Sequence, residues 1–457
     1  MQVARVELIG AGVLVIGMAR SGLAAVRLLA AQGARVTACD QKRPEEIPDA
    51  AADLAQLGVA LIPQTPDVGL NRDLVVVSPG VPADAEPLAN ARRAGVPVIG
   101  ELELASYFLK GRTIAITGSN GKTTTTALVG HILRACGIPA QVGGNIGTAP
   151  ASMVDSSRPG QWNVLEVSSF QLETISHFRA DIGVALNLSP DHLDRHGSME
   201  TYAAAKSRLF RTQRQQDWAV LNADDPICLS YASISRGRPV WFSLQRVVTP
   251  GVWLNRGTIL FDDQTVMQAS EIPLRGLHNV ENVLAATAAA RLAGADLKAL
   301  AGAVKSFPGV EHRLEFVRSL AGVDYFNDSK ATNVDAALKA IQAFPGSLWV
   351  ILGGKDKDSD FTPLRDALAG KVRAALLIGA AASKIAAQLA GAVELAHCGA
   401  IENALDYAWR HAKPGDTVLL APACASFDQF ENFEYRGRWF KQCVNRLAEG
   451  SSEEVRS

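Results

Sequence analysis

Residues 113–136 place a glycine-rich turn and a Lys-Thr pair between an apolar run and a helical pattern. The run at 113–116 reads as a buried strand. Leu128, Val129, Ile132, Leu133 and Cys136 fall on one face of the helix that follows. Between them stand Gly118, Ser119, Asn120, Gly121, Lys122, Thr123 and Thr124. Strand, glycine-rich turn, Lys-Thr and helix make the arrangement of a phosphate-binding loop. Backbone N–H groups at the helix start point at phosphate oxygens. Lys122 adds a mobile positive charge, and the Thr123 hydroxyl can hold Mg²⁺. The loop departs from the strict octamer, because Ile116 stands where the first glycine would be and Gly118 comes two residues later. An ordinary turn capped by Ser119 or Asn120 is the alternative. The flanking strand and helix favour a nucleotide.

Short apolar runs alternate with helical patterns from end to end, which indicates an α/β fold with mainly parallel sheets. A chain of 457 residues is too long for one core. Neither a repeat nor a long low-complexity linker interrupts it. Three domains are expected: a Rossmann-like N-terminal domain (1–109), a central P-loop ATPase-type domain (110–309) and a C-terminal Rossmann-like domain (310–457). The first opens with a strand at 13–16 and the turn Gly17-Met18-Ala19-Arg20-Ser21-Gly22. A helix runs to Gln32 and stops at Gly33. A strand at 35–39 ends at Asp40, followed by Gln41, and one at 74–77 ends in Ser78-Pro79-Gly80. An acid about 20 residues past the glycines suits a dinucleotide fold. Ala19, however, occupies the middle glycine position, and its methyl group obstructs the usual pyrophosphate approach. A nucleotide-type ligand other than NAD is expected there, with a turn used only for packing as the alternative.

Further strands are expected at 163–167, 182–187 and 218–222, and at 348–352, 374–378 and 417–421. Ligands of open α/β sheets sit at the carboxyl ends of such strands. Glu166, flanked by Leu165 and Val167, is costly to bury unless it meets a metal or an arginine. The cluster Asp191-His192-Leu193-Asp194-Arg195-His196 follows another strand, and His192 there could meet a metal or a phosphate. Lys206 lies in a helical stretch, where a lysine is ordinarily a solvated charge. Asn279 and Asn282 start a helix; they either cap it or read adenine edges. Residues 324–333 form a polar strand end.

The net charge of −1 gives no sign of a nucleic-acid or anionic-membrane partner. No apolar run reaches the roughly 18 residues of a membrane span. The first ten residues mix acid with base and lead into a strand, unlike a signal peptide. Six scattered cysteines without a CxxC pair read as small buried hydrophobes in a reducing cytoplasm. There is no cysteine–histidine zinc pattern and no Gly-x-Ser-x-Gly elbow.

Together these segments resemble the Mur ligase family of ATP-dependent amide-forming enzymes, over nearly the whole chain. The loop at 117–124 is general to that family and to folylpolyglutamate synthases. Gly143-Gly144-Asn145-Ile146-Gly147, Ser168-Ser169-Phe170-Gln171-Leu172-Glu173 and Asn327-Asp328-Ser329-Lys330-Ala331-Thr332-Asn333 are more specific. The resemblance implies a cytoplasmic, monomeric enzyme that adds D-glutamate to UDP-N-acetylmuramoyl-L-alanine through an acyl phosphate. ATP and two Mg²⁺ ions are its implied cofactors, with domain closure excluding water. Lys122 would hold ATP phosphates. Thr123, Glu166, His192 and a carbamylated Lys206 would serve the metal, with Asn145 near the reacting carboxylate. Asn282 and Asn279 would face adenine, and Arg313 and Asp328 the nucleotide. Lys330, Thr332, Lys355, Ser426 and Phe433 would form the D-glutamate pocket. Ala19, Arg20, Asp40, Gln41, Ser78 and Gly80 match segments around the UDP. The segment at 327–333 argues against a sister ligase or a folylpolyglutamate synthase. Ala19 and the second nucleotide site argue against a nicotinamide dehydrogenase. A non-catalytic nucleotide-binding regulator would not need Glu166, His192 and Lys206 together.

Overall fold

The computed structural model describes residues 7–356 and 358–454, so the first six residues of the expected N-terminal stretch lie outside it. The chain forms two compact units. One comprises Met1–Ile272 with Val280–Phe307, the other Pro273–Asn279 with Pro308–Ser457.

The first unit holds two sheets. The N-terminal sheet contains β1 (Gly12–Ile16), β2 (Arg35–Asp40), β3 (Ala60–Pro63), β4 (Leu74–Val77) and β5 (Val98–Gly100). It is parallel throughout, in the order β3-β2-β1-β4-β5. Val13 and Val15 pack into one core and Leu14 and Ile16 into another. A strand buried on both faces has to be apolar at every position, which is why the run at 13–16 does not alternate.

The central sheet has nine strands. They are β6 (Arg112–Thr117), β7 (Ala140–Gly144), β8 (Trp162–Glu166), β9 (Ile182–Ala185), β10 (Trp218–Asn222), β11 (Arg238–Ser243), β12 (Gly251–Asn255), β13 (Thr258–Phe261) and β14 (Gln264–Gln268). The order is β14-β13-β12-β11-β10-β9-β6-β8-β7. β12, β13 and β14 form an antiparallel meander that the sequence reading did not anticipate. The strand expected at 182–187 ends at Ala185, because Asn187 turns to the phosphate loop. The central domain is tied to the first by Glu103 in the helix Glu101–Ser106. Its fully buried carboxylate accepts the amides of Ser176, His177 and Phe178 at 2.9, 2.8 and 2.9 Å, and the Tyr107 hydroxyl at 2.6 Å.

The second unit is built on β15 (Glu315–Leu320), β16 (Val323–Asn327), β17 (Leu348–Gly353), β18 (Val372–Ile378), β19 (Glu394–Gly399) and β20 (Thr417–Leu420). The order is β15-β16-β20-β17-β18-β19, parallel except for the edge hairpin β15–β16. The fold is therefore α/β with largely parallel sheets, as expected. Of the cysteines, Cys39, Cys228, Cys424 and Cys443 are buried, whereas Cys136 and Cys398 are only half-buried. Cys136 lies just past the end of the helix Lys122–Ala135, where the apolar face runs out.

Candidate active site

The polar groups singled out in the central domain gather at the carboxyl ends of four neighbouring strands, β9, β6, β8 and β7. Glu166 is the last residue of β8. It pairs with Ile116 of β6 on one side and Gly144 of β7 on the other. Its Oε2 accepts the Thr123 hydroxyl at 2.8 Å, and its Oε1 accepts the Asn145 amide at 3.0 Å. Among the described residues it has no ion pair with an arginine, so two neutral donors satisfy this buried carboxylate. A Cβ at Gly144 (φ +112) would overlap the Glu166 carbonyl, and only glycine lets β7 approach so closely.

Gly121 (φ +83) caps the helix Lys122–Ala135. The loop before it is fixed to the residues after β9. The Ser119 amide donates to the Asn187 carbonyl at 2.8 Å, and the Asn120 amide to Asn187 Oδ1 at 2.9 Å. Lys122 Nζ folds back onto the carbonyls of Gly118 (2.9 Å) and Ser119 (2.8 Å). Thr124 is buried beside it in the first helical turn. Asn282, in the helix Leu277–Leu292, accepts the Thr125 hydroxyl at 3.2 Å and lies close against Gly121.

Lys206 is not a solvated charge. It is 1% exposed in the helix Met199–Arg211, with Nζ 2.9 Å from the Gly118 carbonyl and 4.5 Å from the Tyr202 ring centre. Burial, and next the charge of Lys122, hold its amine well below the ordinary lysine range. The lysine for which a solvated surface position was the ordinary alternative thus sits beneath the phosphate loop. His192 is half exposed, with φ +54, and its Nε2 lies 3.5 Å from Asp191 Oδ2. Its ring packs 4.8 Å from that of Phe170. The side chain of Asp194 lies outside the described residues.

Among the described residues no three His, Cys, Asp or Glu side chains converge as a ready metal cage. Mg²⁺ does not need one, since it is commonly held by one or two carboxylates together with substrate phosphates and water. The Thr123 hydroxyl and Glu166 carboxylate are hard oxygen donors of that kind beside a phosphate loop, and they fit the ion.

In the first domain, the turns after β2, β1 and β4 lie side by side. A Cβ on Gly22 would overlap the Gly17 carbonyl, so the first and last glycines of the turn serve close packing. Ala19 is the N-cap of the helix Arg20–Ala31. Asp40 accepts the Met18 amide at 2.6 Å and the Lys42 amide at 2.9 Å, which organises the turn. Arg20 reaches out of the domain to the Gly147 carbonyl at 2.8 Å, on the loop that carries Asn145. Gln41 is exposed, Ser78 is buried, and Gly80 has open space on its Cβ side.

In the second unit, the loops after β16, β20 and β17 come from adjacent strands. Lys330 Nζ lies 5.5 Å from the Phe433 ring centre, and the Ser329 hydroxyl donates to the Phe433 carbonyl at 2.8 Å. Lys355 and Ala425 pair through their backbones, next to buried Ser426. Thr332 is half-buried, and its amide donates to the Lys330 carbonyl at 2.8 Å. Asp328 is buried, and desolvation pushes its carboxyl up to about 6 although Arg313 opposes the shift. Asn279 donates to the Arg275 carbonyl at 2.7 Å.

Sequence reading missed the residues that support these loops. Arg436 is buried to 1% exposure, with no ion pair to a carboxylate among the described residues. Its guanidinium donates to Ser329 Oγ (3.0 Å), the Ser329 carbonyl (2.8 Å) and the Cys424 carbonyl (3.1 Å from each terminal nitrogen). It thereby joins the loop carrying Lys330 to the one carrying Ser426. His312 (φ +64) accepts the Asn327 amide at Nδ1, at 2.9 Å, and precedes Arg313. Tyr202 links Ser119 of the phosphate loop, at 3.1 Å, to the helix of Lys206.

A phosphate loop, an acidic strand end and a buried lysine on a multi-sheet α/β scaffold define a nucleotide-dependent α/β enzyme. The chain belongs to the Mur ligase family. Residues 11–100 match the Mur ligase MurD-like N-terminal domain, 116–290 the Mur ligase middle domain, and 312–424 the Mur ligase glutamate ligase domain. It is 58% identical to the UDP-N-acetylmuramoylalanine–D-glutamate ligase of Solibacter usitatus, over 96% of this chain and 99% of that one. The enzyme of the same name from Acidobacterium capsulatum is 52% identical, over 96% and 97%. Among solved structures, the fold is similar to the UDP-N-acetylmuramate–alanine ligase MurC of Thermotoga maritima. The TM-score is 0.61 at 21% identity, covering 96% of this chain and 100% of that one. At that identity the likeness is one of fold alone.

Proposed function

We infer that this chain is an ATP-dependent ligase that joins D-glutamate to the L-alanyl carboxylate of UDP-N-acetylmuramoyl-L-alanine, a step of peptidoglycan precursor synthesis. The observation that carries the chemistry is the meeting of Lys122 and Lys206 on the Gly118 carbonyl, in a loop whose Thr123 bonds Glu166. The amino acid and acceptor come from the end-to-end match to the named relatives.

The L-alanyl carboxylate attacks the γ-phosphorus of ATP; ADP leaves and an acyl phosphate forms. The D-glutamate amine then attacks the acyl carbon. A tetrahedral intermediate collapses with loss of phosphate, and the nitrogen gives up its proton. Two anions must approach in the first step. Lys122, released from its two carbonyls, supplies positive charge to the γ-phosphate. Asn145 orients the reacting carboxylate and Asn282 borders the adenine side of the loop, with Asn279 on the same helix. Mg²⁺ supplies further charge neutralisation when bound; Thr123, Glu166, His192 and Lys206 are the residues that would hold it, in two sites. A cationic Lys206 would oppose the ion, whereas a neutral buried amine can take up CO₂ and release a proton to become an anionic carbamate. Arg313 and Asp328 are assigned to the nucleotide. Lys330, Thr332, Lys355, Ser426 and Phe433 are assigned to D-glutamate, because they surround three adjacent strand ends with two lysines and a polar rim. Ala19, Arg20, Asp40, Gln41, Ser78 and Gly80 are assigned to the UDP group on the same strand-end rule. The reaction is assigned to the cytoplasm, where ATP and a nucleotide-linked sugar are at hand, and the chain is assigned as a monomer.

The test is phosphate release from ATP with UDP-N-acetylmuramoyl-L-alanine and a panel of amino acids. Release requires both the muramoyl nucleotide and D-glutamate. Equal turnover with L-glutamate or meso-diaminopimelate overturns the assignment.

A further inference from the structure

Arg195 belongs to the one-turn helix Leu193–His196 that follows His192, yet its guanidinium is spent on the first domain. One terminal nitrogen donates to the Pro79 carbonyl at 3.0 Å. The other donates to the Val81 carbonyl at 3.1 Å and to Glu173 Oε2 at 2.7 Å. Its flat face lies 4.1 Å from the centre of the Phe170 ring, whose contacts also include His192 at 4.8 Å and His196 at 5.7 Å. His196 in turn bonds the Ser169 hydroxyl at 2.9 Å. Only 16% of the arginine side chain remains exposed.

We propose that Arg195 is a positioning residue that clamps the 78–81 turn of the first domain onto the segment carrying His192, so that hold on the muramoyl nucleotide and alignment of the reacting centre are set together. The turn it grips is stiff. Ser78 donates to the Ile16 carbonyl at 2.9 Å, and Val81 closes on the Ser78 carbonyl at 3.0 Å. There is no room for a Cβ at Gly17, which would come within 2.9 Å of both Ser78 Cβ and Val81 Cγ2, so the turn packs directly on the Gly17 backbone. That loop reaches back to the Asn145 segment through Arg20 and Gly147. The clamp is not required to hold the two domains together, because the buried Glu103 carboxylate already does so with the three amides of the central domain. Both ends of the Arg195 clamp fall instead on segments that carry assigned ligand residues. An arginine suits this place, since its planar fork serves two carbonyls and a carboxylate while stacking on a ring; a lysine ammonium cannot do all three.

The assignment rests on the function proposed above, so its test begins with the unmutated full-length chain and UDP-N-acetylmuramoyl-L-alanine. Arg195→Lys and Arg195→Ala are then compared by steady-state kinetics for each substrate and by thermal melting. Arg195→Lys keeps a cation opposite Glu173 and should melt close to the parent. Its KM for the muramoyl nucleotide should rise about tenfold or more, with a smaller fall in kcat, while KM for ATP and for D-glutamate stays within about twofold. Arg195→Ala should show the same split, more strongly. If the parent does not turn over the muramoyl nucleotide, the proposed function falls and the clamp with it. If the parent does, but Arg195→Lys leaves the muramoyl KM unchanged or raises all three KM values together, the clamp alone is refuted.

Discussion

Replacing Lys206 by alanine separates a buried functional amine from an ordinary helical lysine. An exposed lysine in mid-helix tolerates alanine within about 0.5 kcal/mol and with no loss of activity. Lys206 is in a different position. Its Nζ and that of Lys122 each lie 2.9 Å from the same Gly118 oxygen. The two nitrogens are therefore at most about 6 Å apart, and at an effective dielectric near 20 two full charges there repel by roughly 3 kcal/mol or more. Desolvation adds to that, so the amine is held neutral at a pH where a free lysine is charged. The neutral amine attacks CO₂ and gives up a proton, leaving a carbamate anion with two oxygens. If those oxygens make two charge-assisted contacts worth about 1.5–3 kcal/mol each, their loss slows turnover by about a hundredfold or more. Lys206→Ala should therefore lose phosphate release to that extent and keep its fold by circular dichroism. Formate or acetate, placed in the vacated space, should restore part of the rate. Retention of turnover within about twofold in Lys206→Ala would refute the reasoning, since the buried amine would then be doing nothing for the reaction.

Asp328 gives a pH test. Burial raises its carboxyl in the folded chain from 3.8 to about 6, so the folded state binds the proton more tightly than the unfolded one. That stabilisation is fully present below about pH 4 and is lost as pH rises through about 6, a swing on the order of 3 kcal/mol. Relative to the parent, Asp328→Asn should gain stability between pH 4.5 and 7.5 by denaturant titration; parallel curves would exclude the shift. Gly121→Ala puts a methyl group onto Asn282 at φ +83, at a backbone cost of about 1–2 kcal/mol before any clash. Its KM for ATP should rise well beyond any change for D-glutamate, and an unchanged value would separate Asn282 from the loop's function. Arg436→Met leaves the Ser329 and Cys424 carbonyls without their donor, at a cost of about 3 kcal/mol or more. The melting temperature should fall and KM for D-glutamate should rise; a parent-like KM would show that Arg436 does not shape that pocket.

Which of these residues the sequence could reveal depends on where their partners lie in the chain. Glu166 and the phosphate loop were legible because each ends an apolar run, and the ends of parallel strands are where an α/β sheet collects polar groups. Lys206 was legible in principle. Tyr202, Ala205, Leu209 and Phe210 are buried on the same helical stripe, at offsets of −4, −1, +3 and +4 from it. A lysine in the middle of an apolar stripe cannot be a solvated charge, and periodicity read with Lys206 included would have said so. Arg436 carries the same signal, with Phe440, Cys443 and Val444 on its stripe in the helix Phe433–Glu454. The meander at 251–268 was marked by Arg256-Gly257, both at positive φ, a two-residue hairpin turn between apolar strands. Arg195 left no such mark. Two of its three acceptors are backbone carbonyls 114 and 116 residues away, and a carbonyl has no residue identity to read. Its neighbours, Leu193 and His196, set no stripe in a helix of four residues. A basic residue on an apolar stripe can thus be found from spacing alone, whereas one that grips main chain across a domain boundary is visible only once both sheets are folded.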